Sequence, residues 1–277
     1  MKCIIKKITE KENAELSSKK PYVKNVRDLK AYRDALLFCK VMYEIAKRLP
    51  SDEHYLADLM KCSSCSVVAN LAEGNTNYYY KREYNFFNTS LSQLAVLRSN
   101  LDLIRMRGYI SESVYKNADL RAEEILKMII KLMQRIERKL DQDDLDEKEI
   151  GNKVGKFEID LSQLFEKATT FNNHILKIVQ QYPQNEKYNQ IDQITRASQS
   201  ILQNLRSAEN ASYPQQLHSL NTSLGSASEC KAFLDISVMQ NFISTEQYQE
   251  ISVLGGEIVD SIIELMNQME QNYMEVS

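Results

Sequence analysis

Tryptophan is absent from this 277-residue chain, and turn-forming residues are scarce, with seven glycines and four prolines. So little punctuation argues against a β-rich or loop-rich protein and for long uninterrupted helices. No apolar run approaches the roughly 20 residues that cross a bilayer, so no membrane association is expected. Residues 1–24 hold too short an apolar core and too many charges for a secretory leader, and read as an N-terminal arm. Five cysteines, an odd number, fit reduced thiols in a cytoplasm rather than a disulfide framework. The three histidines, His54, His174 and His218, fall at unrelated places, and no HExxH, Walker loop or nucleotide-binding glycine fingerprint occurs. Neither a catalytic constellation nor a metal or other cofactor is expected. Cys62 and Cys65 form a CxxC, but they stand among Ser63, Ser64 and Ser66 in a helical pattern. Close helix packing explains them better than redox or metal chemistry.

An internal duplication is present. "NTSL" occurs at Asn88–Leu91 and again at Asn221–Leu224, and "MRGYIS" (Met106–Ser111) is answered by "MQNFIS" (Met239–Ser244). Pro50 and Tyr55 are matched by Pro183 and Tyr188, and all these landmarks share a shift of 133 residues. The copies differ in charge: residues 1–140 carry 26 Lys+Arg against 17 Asp+Glu, whereas residues 141–277 carry 9 against 21. That asymmetry, +9 against −12, marks polyanion binding, complementary self-association, or merely two solvated surfaces.

Apolar residues recur at helical spacing in each copy, which predicts an all-α protein of two tandem up-down antiparallel four-helix bundles. In the first copy, helices are expected over Val26–Leu49, from an N-cap at Ser51 to Glu73 before Gly74, over Tyr80–Met106, and from a cap at Ser111 to Leu140. Gly108 is the expected stop of the third. The second copy runs from Ile159 to Tyr273, with a capping box of Ser244 and Gln247. The domains are therefore an arm (1–24), a basic bundle (25–140), an acidic linker (141–156) and an acidic bundle (157–277).

At "NVRDLKAYRDALLFCKVMYEIAKRLP" (Asn25–Pro50), "VVANLAEGN" (Val67–Asn75), "FFNTSLSQL" (Phe86–Leu94) and "GYIS" (Gly108–Ser111) the chain resembles a known family. This is the family of four-helix-bundle proteins encoded in intervening sequences of 23S rRNA genes. Asp28, Leu29, Tyr32, Asn70, Ala72, Glu73 and Gly74 match its "DLxxY" and "NIAEG" patterns and are expected to be structural. The family also contains accessory variability proteins of diversity-generating retroelements. For this chain the resemblance implies a homo-oligomer, nucleic-acid binding and a reverse transcriptase as partner. The second copy departs from the pattern: Asn204 is kept, but "NLRSAE" replaces "NLAEG", and Glu229 stands where the first copy has Val96.

Two segments point to a partner. In "NYYYKREYNFF", Tyr78, Tyr79 and Tyr80 precede Lys81 and Arg82, a mixture that stacks on unpaired bases and neutralises phosphate. The alternative is that the tyrosines close the bundle end and pack inward. The second segment is a basic stripe on the fourth helix, Lys127, Lys131, Arg135 and Arg138, whose spacing sets them on one face. Asp260 and Glu264 replace Lys127 and Lys131 in the second copy. The stripe either holds a polyanion such as RNA, with Asp260 and Glu264 left to a protein, or docks on the acidic face within or between chains. A purely structural, oligomerising protein without nucleic acid is the second functional reading.

Overall fold

The computed structural model describes residues 25–140, 159–209 and 211–276; the N-terminal arm and the whole acidic linker lie outside them. Eight α-helices make up the described chain: α1 (Lys30–Ala46), α2 (His54–Thr76), α3 (Tyr80–Met106), α4 (Glu112–Leu140), α5 (Ser162–Ile178), α6 (Asp192–Ala208), α7 (Tyr213–Met239) and α8 (Thr245–Val276). No strand occurs among the described residues. Within each copy the helices close a square: α1 and α3 each pack on α2 and α4, and α5 and α7 each pack on α6 and α8.

Local sequence explains most boundaries. In α4, Ala118, Ala122, Ile125, Ile129, Met133 and Ile136 are buried at steps of three and four, an apolar stripe along one face. Gly108 ends α3 with φ +74°, and Asn241, its counterpart after α7, adopts φ 59°. Asparagine tolerates the left-handed region better than most residues, and glycine better still. Gly108→Ala is therefore expected to cost about 1 kcal/mol and Asn241→Gly to gain a few tenths, read as shifts of the urea unfolding midpoint. The capping box at α8 is present: Ser244 N–H donates to Gln247 Oε1 at 2.9 Å, and Gln247 N–H to Ser244 Oγ at 3.2 Å.

Two expectations need correction, and the repeat shows a local change of register. Ser51 does not cap α2; it begins a 3₁₀ turn, Ser51–Glu53, that leads into the helix. Gly74 does not interrupt α2, which continues to Thr76; the missing side chain instead admits Phe87, whose ring carbon would lie 2.8 Å from a Cβ at that position. The repeat is also not at a constant shift. Asn70 Nδ2 donates to Ser66 O at 2.8 Å and Asn204 Nδ2 to Ser200 O at 2.8 Å, a shift of 134. Ser90 Oγ donates to Val67 O at 3.1 Å and Ser223 Oγ to Ile201 O at 3.1 Å, so the register is back to 133 on α7. A single π-helical turn, Lys187–Ile191, takes up the extra residue ahead of α6.

α2 and α7 differ from the other helices in being buried on nearly all sides. The reason is that the two bundles meet through them, α2 lying along α7 with α1 also touching α7. The basic face of α4 and the acidic face of α8 take no part in this seam, so docking of those faces within the chain is not how the bundles join.

Candidate functional site

The seam is polar at both ends and close-packed between. At one end, the Asp235 carboxylate receives Tyr32 Oη at 2.8 Å, Tyr248 Oη at 2.8 Å, and both Nε (3.2 Å) and Nη2 of Arg27. Beside the π turn, Glu186 receives Lys61 Nζ at 3.3 Å, Tyr43 Oη at 3.1 Å and Asn189 Nδ2 at 2.8 Å. Gln190 Nε2 donates to Tyr43 Oη at 2.8 Å. Lys61 is only 6% exposed, and Asp58, at 2.9 Å, together with Glu186 lets it stay charged there. Toward the other end, Glu73 lies against Gly225, where a Cβ would come within 3.0 Å of its carboxylate oxygen. Burial and the nearby Glu229 push the Glu73 carboxyl up to about 8, with Arg82 opposing. Burial raises Glu229 to about 7, with Arg196 opposing.

The Tyr-Lys-Arg segment abuts this seam. Asn221 receives the Tyr78 N–H at 2.9 Å and donates to Asn77 Oδ1 at 3.1 Å, pinning the loop to α7. Tyr78 is half-buried and meets Tyr79 edge to face, at 5.2 Å between ring centroids. Tyr79 and Tyr80 are 8% and 9% exposed. Of the two alternatives for this segment, Tyr79 and Tyr80 follow the inward one: their apolar faces close the bundle end. Lys81 is exposed, while Arg82 Nη2 contacts His218 Nδ1 across the seam at 2.9 Å.

Lys127, Lys131, Arg135 and Arg138 are all exposed on α4, as their spacing predicts. Lys127 pairs with Glu123 at 2.6 Å, and Arg138 Nε donates to the Gln134 carbonyl at 3.2 Å. Arg135 also lines a cleft of about 330 Å³ at the end of the first bundle, together with Lys139, Tyr80, Asn75 and Asn77. Lys139 donates to Tyr80 Oη at 2.6 Å. The cleft therefore joins the α4 stripe to the Tyr-Lys-Arg segment, whereas Lys127 lies about 12 Å along the helix from Arg135. Lys139 and the two asparagines were not expected at the site; the i+4 spacing from Arg135 to Lys139 was the available signal. Asp28 and Glu83 also line the cleft, so its charge is mixed.

No cluster of His, Cys, Asp and Glu suited to a metal occurs among the described residues. Cys65 is buried, 3.4 Å from Tyr43 Oη, and burial pushes both it and Cys62 up, the latter to about 11, opposite to a reactive thiolate. No helix among the described residues is long and apolar enough to cross a membrane. Asp260 and Glu264 are exposed on α8, and Asp260 lies within electrostatic reach of Lys231, whose Nζ donates to Asn25 Oδ1 of the first bundle at 3.2 Å.

The family described as 23S rRNA-intervening sequence protein matches residues 27–131 and, separately, residues 161–264. The chain belongs to that family. Both halves match separately, so each bundle carries its own match to the family, as a tandem duplication requires. No curated protein and no solved structure matches the chain. The pattern residues of the first copy divide between three tasks. Asp28 and Leu29 line the cleft, Tyr32 and Glu73 meet the second bundle, and Asn70 bonds back to Ser66 within its own helix.

Proposed function

We propose that this protein is a non-enzymatic accessory that binds RNA, or assembles a ribonucleoprotein, through the basic first bundle. The supporting observation is the continuity of the exposed α4 cations with the cleft lined by Arg135 and Lys139, beside exposed Lys81. With Tyr79 and Tyr80 packed inward, recognition falls to the cations and to the amides at the cleft. Such a surface reads phosphate positions and backbone shape more than base identity. A structured RNA is the ligand class that fits, and a reverse transcriptase is the partner that the family resemblance adds. The membership in a family defined by rRNA intervening sequences favours RNA over other polyanions.

Fluorescence anisotropy of the full chain with a structured RNA, titrated at low and at moderate salt, tests this. Binding should weaken steeply with salt, since each neutralised duplex phosphate contributes about 0.9 to the logarithmic slope. Reversing Lys131, Arg135 and Arg138 to glutamate should flatten that slope by about two to three and weaken binding at least about tenfold. Absence of binding at low salt would reject the reading.

A second reading is favoured by the carboxylates on the same helix: Glu123 neutralises Lys127, and Glu124 and Glu137 are also exposed. In that reading the stripe orients a protein rather than RNA, and Asp260 and Glu264 offer the complementary face to another copy. Charge reversal at Lys131 would then change self-association and leave RNA titrations flat.

A further inference from the structure

α3 and α7 are the same helix of the repeat, yet they meet different fates. On α7, Asn221, Gly225, Ser228, Ala232 and Ile236 are buried. The residues 133 positions earlier on α3, namely Asn88, Ser92, Ala95, Ser99 and Leu103, are all exposed. Val96 and Met106 beside them are 40% and 80% exposed. The face through which the second bundle receives the first is therefore duplicated on the first bundle and stands open there.

The polar contacts of that face are duplicated as well. Glu186, Asn221 and Asp235 accept hydrogen bonds from the first bundle, and their counterparts are Glu53, Asn88 and Asp102, the same residue types. Tyr248 bonds Asp235 at 2.8 Å, and the equivalent Tyr115 bonds Asp102 at 2.7 Å. What Asp235 gains in addition comes from Arg27 and Tyr32, across the seam. Glu53 is held by Arg107 and by Tyr109 at 2.9 Å.

The complementary edge is not duplicated. Arg27, Tyr32, Tyr43 and Lys61 become Asp160, Phe165, Leu176 and Thr195 in the second bundle. The small α2 residues Ala69 and Ala72 become Gln203 and Arg206, which are exposed on α6. A second copy of the chain thus has nothing to offer the open face: its first-bundle edge is already covered by its own α7, and its second-bundle edge has lost the donors. Two open faces brought together would likewise supply none of the Tyr32, Tyr43 and Lys61 donors that Asp235 and Glu186 receive.

We propose that the outer face of α3 docks a separate four-helix-bundle chain, one that presents an arginine-tyrosine-lysine edge beside a small-residue helix. Glu53 and Asp102, each beside one arginine of its own bundle (Arg107 and, at 3.9 Å, Arg105), repeat the seam acceptors Glu186 and Asp235 in type and place and so fit the same cationic, tyrosine-bearing edge, and the small side chains Ser92, Ala95 and Ser99 call for a close-packed helix. The first bundle already makes both of these contacts with the second, so the required geometry exists within this chain. This docking does not depend on RNA binding.

The test uses a full-length probe chain with the edge rebuilt on its second bundle. It carries Asp160→Arg, Phe165→Tyr, Leu176→Tyr, Thr195→Lys, Gln203→Ala and Arg206→Ala, with Ala95→Arg to block its own α3. Mixed with the unmodified chain and followed by light scattering and sedimentation, it should form a one-to-one complex at micromolar concentration. Ala95→Arg in the receptor should abolish that complex, and Asp102→Ala should weaken it about tenfold. A probe limited to Thr195→Lys, Gln203→Ala, Arg206→Ala and Ala95→Arg serves if the fuller one loses its helical signal. Failure of a folded probe to bind at about 100 μM, well beyond a micromolar dissociation constant, overturns the proposal. So does self-association of the unmodified chain that Ala95→Arg disrupts, because the occupant would then be a second copy.

Discussion

Stability of the folded chain is expected to fall as pH rises from about 5 to 8.5, and most of the fall should be lost in a chain carrying Glu73→Gln and Glu229→Gln, Asp235 being the other seam carboxyl that burial raises. Both carboxyls lie near the seam, and burial raises Glu73 to about 8 and Glu229 to about 7, from an ordinary 4.5. Arg82 and Arg196 pull in the opposite direction without cancelling the burial. Between about 4.5 and 8, the folded chain holds protons that the unfolded chain has already released. Stability is therefore fully present below the lower value and is lost as pH passes the higher. Raising a carboxyl pKa by one on folding is worth about 1.4 kcal/mol, so over this range the pair, at about 8 and about 7, is expected to cost up to about 7 kcal/mol, and less to the extent that part of the Glu73 rise comes from Glu229 itself. Urea unfolding at pH 5, 6.5 and 8.5 measures it. Parallel profiles for the unmodified and the doubly substituted chain would show that the seam carries no such dependence. Since Glu73 touches α7 at Gly225, the loss should appear first as weakened contact between bundles, before either bundle core opens.

Much of the fold was legible because helical periodicity is a local property. α3 begins at Tyr80 and ends at Met106 as its apolar spacing and Gly108 predict, and Ser244 and Gln247 form the cap that their separation implies. The seam was not legible, because it depends on which of two near-identical faces is covered. Nothing local to Ser92 or Gly225 says that one is exposed and the other buried. The single useful signal was comparative: where α2 has Ala69 and Ala72, α6 has Gln203 and Arg206. Reading that comparison requires the correct register, and the π turn at Lys187–Ile191 displaces it by one residue through α6. The basic stripe was visible for the same reason as the helices, since four exposed cations at steps of four and three share a face. The burial of Tyr79 and Tyr80 was not, because an aromatic run at a helix start has the same spacing whether it stacks on a base or closes a bundle.

The duplication supplies an internal control for the second large effect. Asp235→Ala is expected to destabilise the chain by about 2–4 kcal/mol, and Asp102→Ala, at the same place in the repeat, by less than about 1 kcal/mol. Both carboxylates accept a hydrogen bond from the tyrosine of the following helix, Tyr248 or Tyr115, at nearly equal distance. They differ in surroundings: the Asp235 side chain is 1% exposed and that of Asp102 is 50% exposed. Water replaces the carboxylate at Asp102. At Asp235 the fully buried Tyr32 hydroxyl would be left without its acceptor, a loss of about 1–3 kcal/mol. Arg27 adds less than a buried cation would, because its side chain is 42% exposed and can regain water. The cost therefore comes chiefly from the orphaned hydroxyl, and a double-mutant cycle can isolate it. Tyr32→Phe combined with Asp235→Ala should be appreciably less damaging than the two single losses summed, since no buried hydroxyl is then stranded. Strict additivity would instead place the loss in packing. The second copy already carries that phenylalanine, at Phe165, on an edge that faces no other bundle in this chain. A tyrosine at this position thus accompanies a docked carboxylate, and its replacement accompanies an edge that has none.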